Sequence, residues 1–176
     1  MKNFKHHLVL FLLVMGMAGS VFAQDPYKHS IGVTVGNFEA LSYKTFFTNH
    51  LALQLDLGYK YTIGSNYYVH HRGISSLEIN PNLMYEGHFT KGLYGFVGGG
   101  LSLGYSWYWG GYAGWYNYRY DYGKFGVNGI LGLEYKFNIP LTLQFDFRPG
   151  YGLLFKENYE VQYFDWSVNL GVRYTF

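Results

Sequence analysis

Cysteine is absent from this chain, which excludes a disulfide framework, a thiolate metal site and thiol chemistry. Proline occurs only four times, so extended segments run on with few interruptions. No apolar run reaches the roughly 18 residues that a membrane-crossing helix needs, the longest spanning Leu8 to Met15. Charge is scarce at 14 % of residues, with 13 Lys and Arg against 11 Asp and Glu, and it is balanced once the first residues are set aside. Such a balance gives nucleic acid nothing to bind, so no nucleic-acid partner is expected.

Present instead are an N-terminal leader, many aromatics and much glycine. Lys2 and Lys5 precede the apolar run, and small residues lead to Val21-Phe22-Ala23, the layout of a secretory signal peptide. Cleavage after Ala23 would remove residues 1–23 and leave one domain, 24–176, with equal numbers of basic and acidic side chains. Aromatic residues make up 22 % of the chain and glycines number 24, opposite to the composition of disordered segments. Mean hydropathy is −0.07, a value also produced when lipid-facing apolar residues alternate with polar ones facing a lumen. Without disulfides, an exported chain of this size has to be held by strand pairing and burial.

The hydrophobic period is two. From residue 164 the even positions are Phe164, Trp166, Val168, Leu170, Val172, Tyr174 and Phe176, while Asp165, Ser167, Asn169, Gly171, Arg173 and Thr175 fill the odd ones. A run of that length exceeds the usual globular strand of about 5–6 residues and suits a tilted membrane strand of about 9–11. Residues 51–61, 125–137 and 141–147 alternate in the same way, and 30–36, 40–47, 75–89 and the glycine-dense 93–107 complete a set of eight. The connections at Thr48-Asn49-His50, Thr90-Lys91-Gly92 and Asn138-Ile139-Pro140 are short, whereas 64–73, 108–123 and 155–162 read as long loops. An even strand number with short turns at one end and long loops at the other predicts an all-β, eight-stranded antiparallel up-and-down transmembrane β-barrel, long loops outside.

Charge decides between a membrane barrel and a soluble one. No Asp, Glu, Lys or Arg falls on the apolar phase of the eight segments, while the opposite phase holds Lys44, Asp56, Lys60, Glu78, Glu86, Glu134, Lys136, Asp146, Arg148, Asp165 and Arg173. A lipid-facing Lys or Arg at mid-depth costs about 2–4 kcal/mol, so a hydrocarbon surround demands this partition. Aromatics collect in two girdles, Phe47, Tyr85, Phe89, Tyr135, Phe137, Tyr174 and Phe176 at one rim and Tyr59, Tyr61, Tyr105, Trp107, Phe125, Tyr151, Phe164 and Trp166 at the other.

The final ten residues, SVNLGVRYTF, form an amphipathic strand ending on an aromatic, with Leu170, Val172, Tyr174 and Phe176 on one phase. Combined with the leader and the eight segments, this pattern resembles the small eight-stranded outer-membrane β-barrels, namely OmpA-like transmembrane domains and OmpX/Ail-type proteins. The resemblance implies outer-membrane localisation in lipid and recognition of the last strand by the barrel-insertion machinery. It also implies a structural or surface-interaction role, adhesin-like, carried by extracellular loops on a monomer. A peptidoglycan-binding domain is not part of what it implies here.

An eight-stranded barrel is wide enough only for side chains to fill it. The inward charges Asp56, Lys60, Glu78, Glu134, Lys136, Asp146, Arg148, Asp165 and Arg173 therefore read as an internal ion-pair network, with a proton or ion path as the alternative. Arg148 and Arg173 are expected to meet carboxylates such as Glu134, Asp146 or Asp165. The stretch 105–123 is crowded with Tyr and Trp, and Trp107, Trp109, Tyr112, Trp115, Tyr116, Tyr118 and Tyr120 form a candidate loop surface for an extracellular ligand or host surface. A self-packed hairpin is the alternative. Its tyrosines lie on even numbers, out of phase with the outward set starting at Phe125, which predicts a bulge near Gly123-Lys124. A bulge is also expected at Pro81, which lies mid-strand on the lipid phase.

Catalysis is not assigned. His70 and His71 lie near Ser65, Ser75, Ser76 and Glu78, from which an outer-leaflet lipid-modifying site could be drawn, but adjacent strand residues point opposite ways and no His-x-Ser pair is present. No metal or cofactor site is assigned either, because no third ligand joins the histidines at a useful spacing. His29 and His50 fall at the inner rim, and GFVGGG at 95–100 lacks the lysine and helix of a phosphate loop.

Overall fold

A computed structural model describes residues 27–62, 74–110, 118–157 and 159–176. Eight strands follow one another: β1 (His29–Gly36), β2 (Phe38–Phe46), β3 (Leu51–Thr62), β4 (Ile74–Thr90), β5 (Leu93–Gly110), β6 (Tyr118–Lys136), β7 (Leu141–Lys156) and β8 (Tyr159–Thr175). Each pairs antiparallel with its sequence neighbour, and β1 closes on β8, giving a closed barrel with no free sheet edge around the ring. The closure runs from Ser30 opposite Thr175 to Gly36 opposite Asn169. Beyond it, His29 and Phe176 exchange both backbone hydrogen bonds, 2.9 and 2.8 Å.

Side chains alternate as the period-two pattern requires. The outward phase is an apolar band, with Leu41, Leu57, Val97, Leu131, Phe145 and Leu170 all exposed, while the inward phase is buried and polar. The ordinary globular arrangement is thus reversed. Two glycines show how the narrow interior is filled. A Cβ on Gly132 would lie 2.1 Å from the Phe145 carbonyl and 2.7 Å from Cζ of Phe96, and one on Gly126 would lie 2.3 Å from the Tyr163 hydroxyl. Aromatic rings lie across strands at positions where no side chain can stand.

Several expectations are corrected. The second half of the chain pairs further than its alternation suggests: β5 runs to Gly110 and β6 starts at Tyr118, so most of the expected loop 108–123 is strand. β7 continues past Pro149 to Lys156, and β8 begins at Tyr159, so most of the expected loop 155–162 is strand, with Glu157 at φ 44°. No bulge sits at Gly123-Lys124, since Tyr105 pairs with Gly123 and Gly104 with Lys124 in unbroken register. Tyr120 and Tyr122 simply continue the lumen phase, and above the apolar band the odd positions become polar with Arg119 and Asp121. Pro81 causes no register shift either: it pairs with Leu55 of β3, and the β4–β5 register is the same at Ile79–Leu103 and Asn82–Gly100. The sheet absorbs the missing N–H locally. The one β4–β5 shift lies between His88 and Thr90, beside the turn.

Outward charge does exist, all at the loop end. Glu39, Arg119 and Glu160 are exposed and Asp121 half-exposed on the outward phase, beyond or level with the upper aromatic girdle. Strands that outrun the apolar band enter water, where charge carries no penalty.

Candidate functional site

The barrel interior holds three tiers of charge. In the middle, Arg148 of β7 donates from Nε and Nη2 to the two oxygens of Asp146 at 2.7 and 3.0 Å, and from Nη1 to Asp56 of β3 at 2.6 Å. Asp146 also accepts from Gln144 at 2.7 Å and Asn169 at 2.8 Å, and Asp56 accepts from Gln54 at 2.9 Å. Both carboxylates are fully buried. A bidentate guanidinium bond with every remaining lone pair engaged is the arrangement in which buried charge persists.

The inner tier surrounds Lys44, which is 0 % exposed and is bonded to Glu86 and, at 2.9 Å, to Glu134. Lys136 meets Glu86 at 2.8 Å, and Arg173 lies 3.8 Å from Glu134 while bonding Ser42 at 3.0 Å and Gln144. Gln144 thereby joins two tiers, accepting from Arg173 and donating to Asp146. Tyr27, ahead of β1, folds into the inner mouth: it is 3 % exposed, donates to Glu134 at 2.7 Å and packs edge-on against Phe46. Lys136 stands 4.8 Å above the Tyr27 ring and 3.6 Å above Tyr94. The outer tier joins Lys124 to Glu78 at 2.6 Å and Asp165 at 3.0 Å, and Lys60 to Asp165 at 2.9 Å, with the Tyr163 ring 4.4 Å from Lys124.

Asp56, Lys60, Glu78, Glu134, Lys136, Asp146, Arg148, Asp165 and Arg173 therefore all lie in the lumen, and the expected contacts Arg148–Asp146 and Arg173–Glu134 are both present. Arg148 also takes Asp56, whereas Asp165 stands in the outer tier with two lysines. Arg173 is further held by Ser42 and Gln144. Lys124 and Tyr27 were missed. Lys124 has the even parity of Gly126 and Asn128 and becomes visible once the assumed phase break is dropped; Tyr27 precedes the first alternating residue and carries no periodic signal. With Lys124 included, the described lumen has six cations (Lys44, Lys60, Lys124, Lys136, Arg148, Arg173) facing six carboxylates (Asp56, Glu78, Glu86, Glu134, Asp146, Asp165). Between the middle and outer tiers lies a cavity of ≈ 10 Å³ bordered by Phe38, Lys60, Asn80, Arg148 and Asp165, room for about one water.

Of the aromatic loop candidates, Trp107 is on the outward phase of β5 and Tyr120 on the lumen phase of β6. Tyr112, Trp115 and Tyr116 lie outside the described residues, as do His70 and His71, and of Trp109 and Tyr118 only the backbone is described. On the outer face Arg119 bonds Asp121 at 2.6 Å and stands 5.3 Å from the Trp107 ring and 6.0 Å from Tyr105, with Tyr59 6.2 Å from Trp107. Partial loss of water raises the Asp121 pKa, but the bonds from Arg119 and Tyr105 outweigh this and hold it below the usual carboxylate value. Among the described residues no cluster of His, Asp and Glu has the arrangement of a metal site. Leu170 in β8 and Phe176 just past its end are exposed, and Val172 and Tyr174 are half-exposed on the same phase.

This architecture is shared with solved structures. The N-terminal β-barrel domain of Pseudomonas aeruginosa OprF matches at a TM-score of 0.51 and 20 % identity over 84 % of this chain and 95 % of that one. The chain has the fold of the small outer-membrane β-barrels. Neisserial surface protein A matches at a TM-score of 0.55 and 16 % identity, covering 84 % of this chain and 93 % of its own. No protein-family model matches the chain, and no curated protein sequence does.

Proposed function

We propose that the chain is an integral outer-membrane barrel, exported by a leader removed after Ala23, with an occluded lumen and a structural or surface-interaction role. The supporting observation is the partition of charge: an uncharged apolar band faces out between two aromatic girdles, and twelve ionised groups pair inside. That arrangement is stable only if the outside is hydrocarbon. The close pairing of the buried charges in all three tiers, with Tyr27 packed at the inner mouth, favours an ion-pair network over an ion path. Leu170, Val172, Tyr174 and Phe176 serve as the strand that the barrel-insertion machinery reads. The extracellular β5–β6 hairpin, with its aromatic tip, carries any contact with a ligand or host surface, and the barrel acts as a monomer.

Expression with the leader in a Gram-negative host tests this reading. It requires outer-membrane fractionation, slower gel mobility after boiling, and no large steady conductance in planar bilayers. Deleting residues 112–118 should leave the heat-modifiable barrel intact while abolishing any surface adhesion; adhesion that survives would remove the binding role from this hairpin. A mass shift of lipid A on expression would instead favour an enzyme.

A further inference from the structure

The inner rim, where β1 begins, β8 ends and the short turns lie, carries basic side chains over half its circumference. Lys28, His50, His88 and Lys91 are exposed there, and His29 is half-buried beside them. They occupy consecutive positions around the ring: the lead into β1, the β2–β3 turn, the end of β4 and the β4–β5 turn. Among the described residues, 27–29, 47–51, 87–93 and 137–141 contain no Asp or Glu. The nearest side-chain carboxylates among the described residues, Glu86 and Glu134, are sealed inside and bonded to Lys44, Lys136 and Tyr27. The opposite rim carries both signs, with Glu39, Arg119, Asp121, Lys156, Glu157 and Glu160.

The histidines are fixed rather than dangling. His50 is stacked on Tyr85 at 5.5 Å and its Nδ1 bonds the Glu86 carbonyl at 3.0 Å, so Nδ1 carries the hydrogen. His29 is stacked between Phe176, 5.7 Å, and Tyr43, 6.1 Å, with the Tyr43 and Thr45 hydroxyls at its Nδ1. His88 lies edge-on to Tyr94 at 5.0 Å. Tyr43, Tyr85 and Phe176 are exposed members of the apolar girdle. Three histidine rings are thus held directly beside aromatic rings at the level where hydrocarbon gives way to headgroups.

We propose that this sector, from the lead into β1 to the β4–β5 turn, is a docking surface for anionic phospholipid headgroups. Lys28 and Lys91 supply the attraction, and the girdle rings lie along the upper acyl chains. Charge complementarity selects this occupant: the exposed Lys28 and Lys91 meet a negative headgroup layer, and a zwitterionic lipid gains little from them. The inference rests on the reading of the chain as a membrane-spanning barrel.

The test uses the full chain in phosphatidylcholine bilayers, with spin-labelled phosphatidylglycerol and phosphatidylcholine compared by electron spin resonance. Each lysine near a lipid surface is worth about a fivefold change in association. The unaltered protein should therefore prefer phosphatidylglycerol severalfold, and the preference should fall towards unity in 0.5 M salt and in the double variant Lys28→Gln/Lys91→Gln. Lys156→Gln, at the opposite rim, should retain it. Equal association of both lipids, or a preference that survives the double variant, overturns the inference. Heat-modifiable mobility is measured on every sample, so that an inserted barrel without lipid preference refutes this inference alone, whereas a chain that never inserts refutes the membrane reading.

Discussion

Replacing Arg148 by Met leaves the hydrophobic volume of the lumen nearly unchanged but strands two carboxylates. Asp56 and Asp146 are 0 % exposed, and Arg148 supplies one of Asp56's bonds and two of Asp146's. Gln54, Gln144 and Asn169 remain as donors but bring no charge. Removing one partner of a buried ion pair costs about 3–5 kcal/mol, because the other is left charged without water. Arg148→Met should therefore lower the free energy of unfolding by about that amount, read as a drop in the urea midpoint of the heat-modifiable form in lipid. Adding Asp56→Asn and Asp146→Asn removes the stranded charge and should restore most of the loss. A midpoint unchanged by Arg148→Met would mean that water reaches both carboxylates, and the reasoning for an occluded lumen would fail.

Further predictions follow from the two faces of the sheet. Leu131→Arg, at the middle of the exposed band, should cost about 2–4 kcal/mol in a bilayer, and a neutral result in the urea midpoint would contradict the lipid-facing assignment. Gly132→Ala should cost about 1–3 kcal/mol because its Cβ meets the Phe145 carbonyl and the Phe96 ring, whereas Gly87→Ala, with nothing within 4 Å, should be close to neutral. At the outer rim Asp121 is held below the usual carboxylate value, so its pair with Arg119 is intact at neutral pH and is lost as pH falls through that lowered value. Arg119→Gln should move the Asp121 carboxyl titration upwards in an NMR pH series; an unmoved titration would show that the pair is not formed in solution.

The sequence made the barrel legible because a membrane strand is a strong signal: one phase must be free of charge, and a single slip would turn every side chain to the wrong solvent. Strand number, the faces and the short turns followed from that pattern. Strand ends above the band were not legible, since Tyr118 to Tyr122 and Phe155 to Lys156 lie where water accepts either phase, so alternation carries no information there. The same cause produced the false bulge at Gly123-Lys124 and hid Lys124. Ion-pair partners were only partly readable: parity puts Arg148 and Asp165 on the same face of the wall, but the stagger around the closed barrel sets their heights, and that stagger accumulates over successive strand pairings around the ring. Tyr27 was beyond any periodic reading, because its place is fixed by Glu134, Phe46 and Lys136 converging from elsewhere in the chain.

The absence of native cysteine makes one direct measurement available. Single variants Val127→Cys, Leu131→Cys and Phe145→Cys on the outward phase, and Ser102→Cys and Ser167→Cys on the inward phase, are carried into bilayers. Reporter groups on the outward three should be quenched by lipids brominated along the acyl chain, while the inward two should resist a water-soluble maleimide until the protein is unfolded. Rapid maleimide labelling of the outward positions without detergent, or labelling of the inward pair in the folded barrel, would contradict the account.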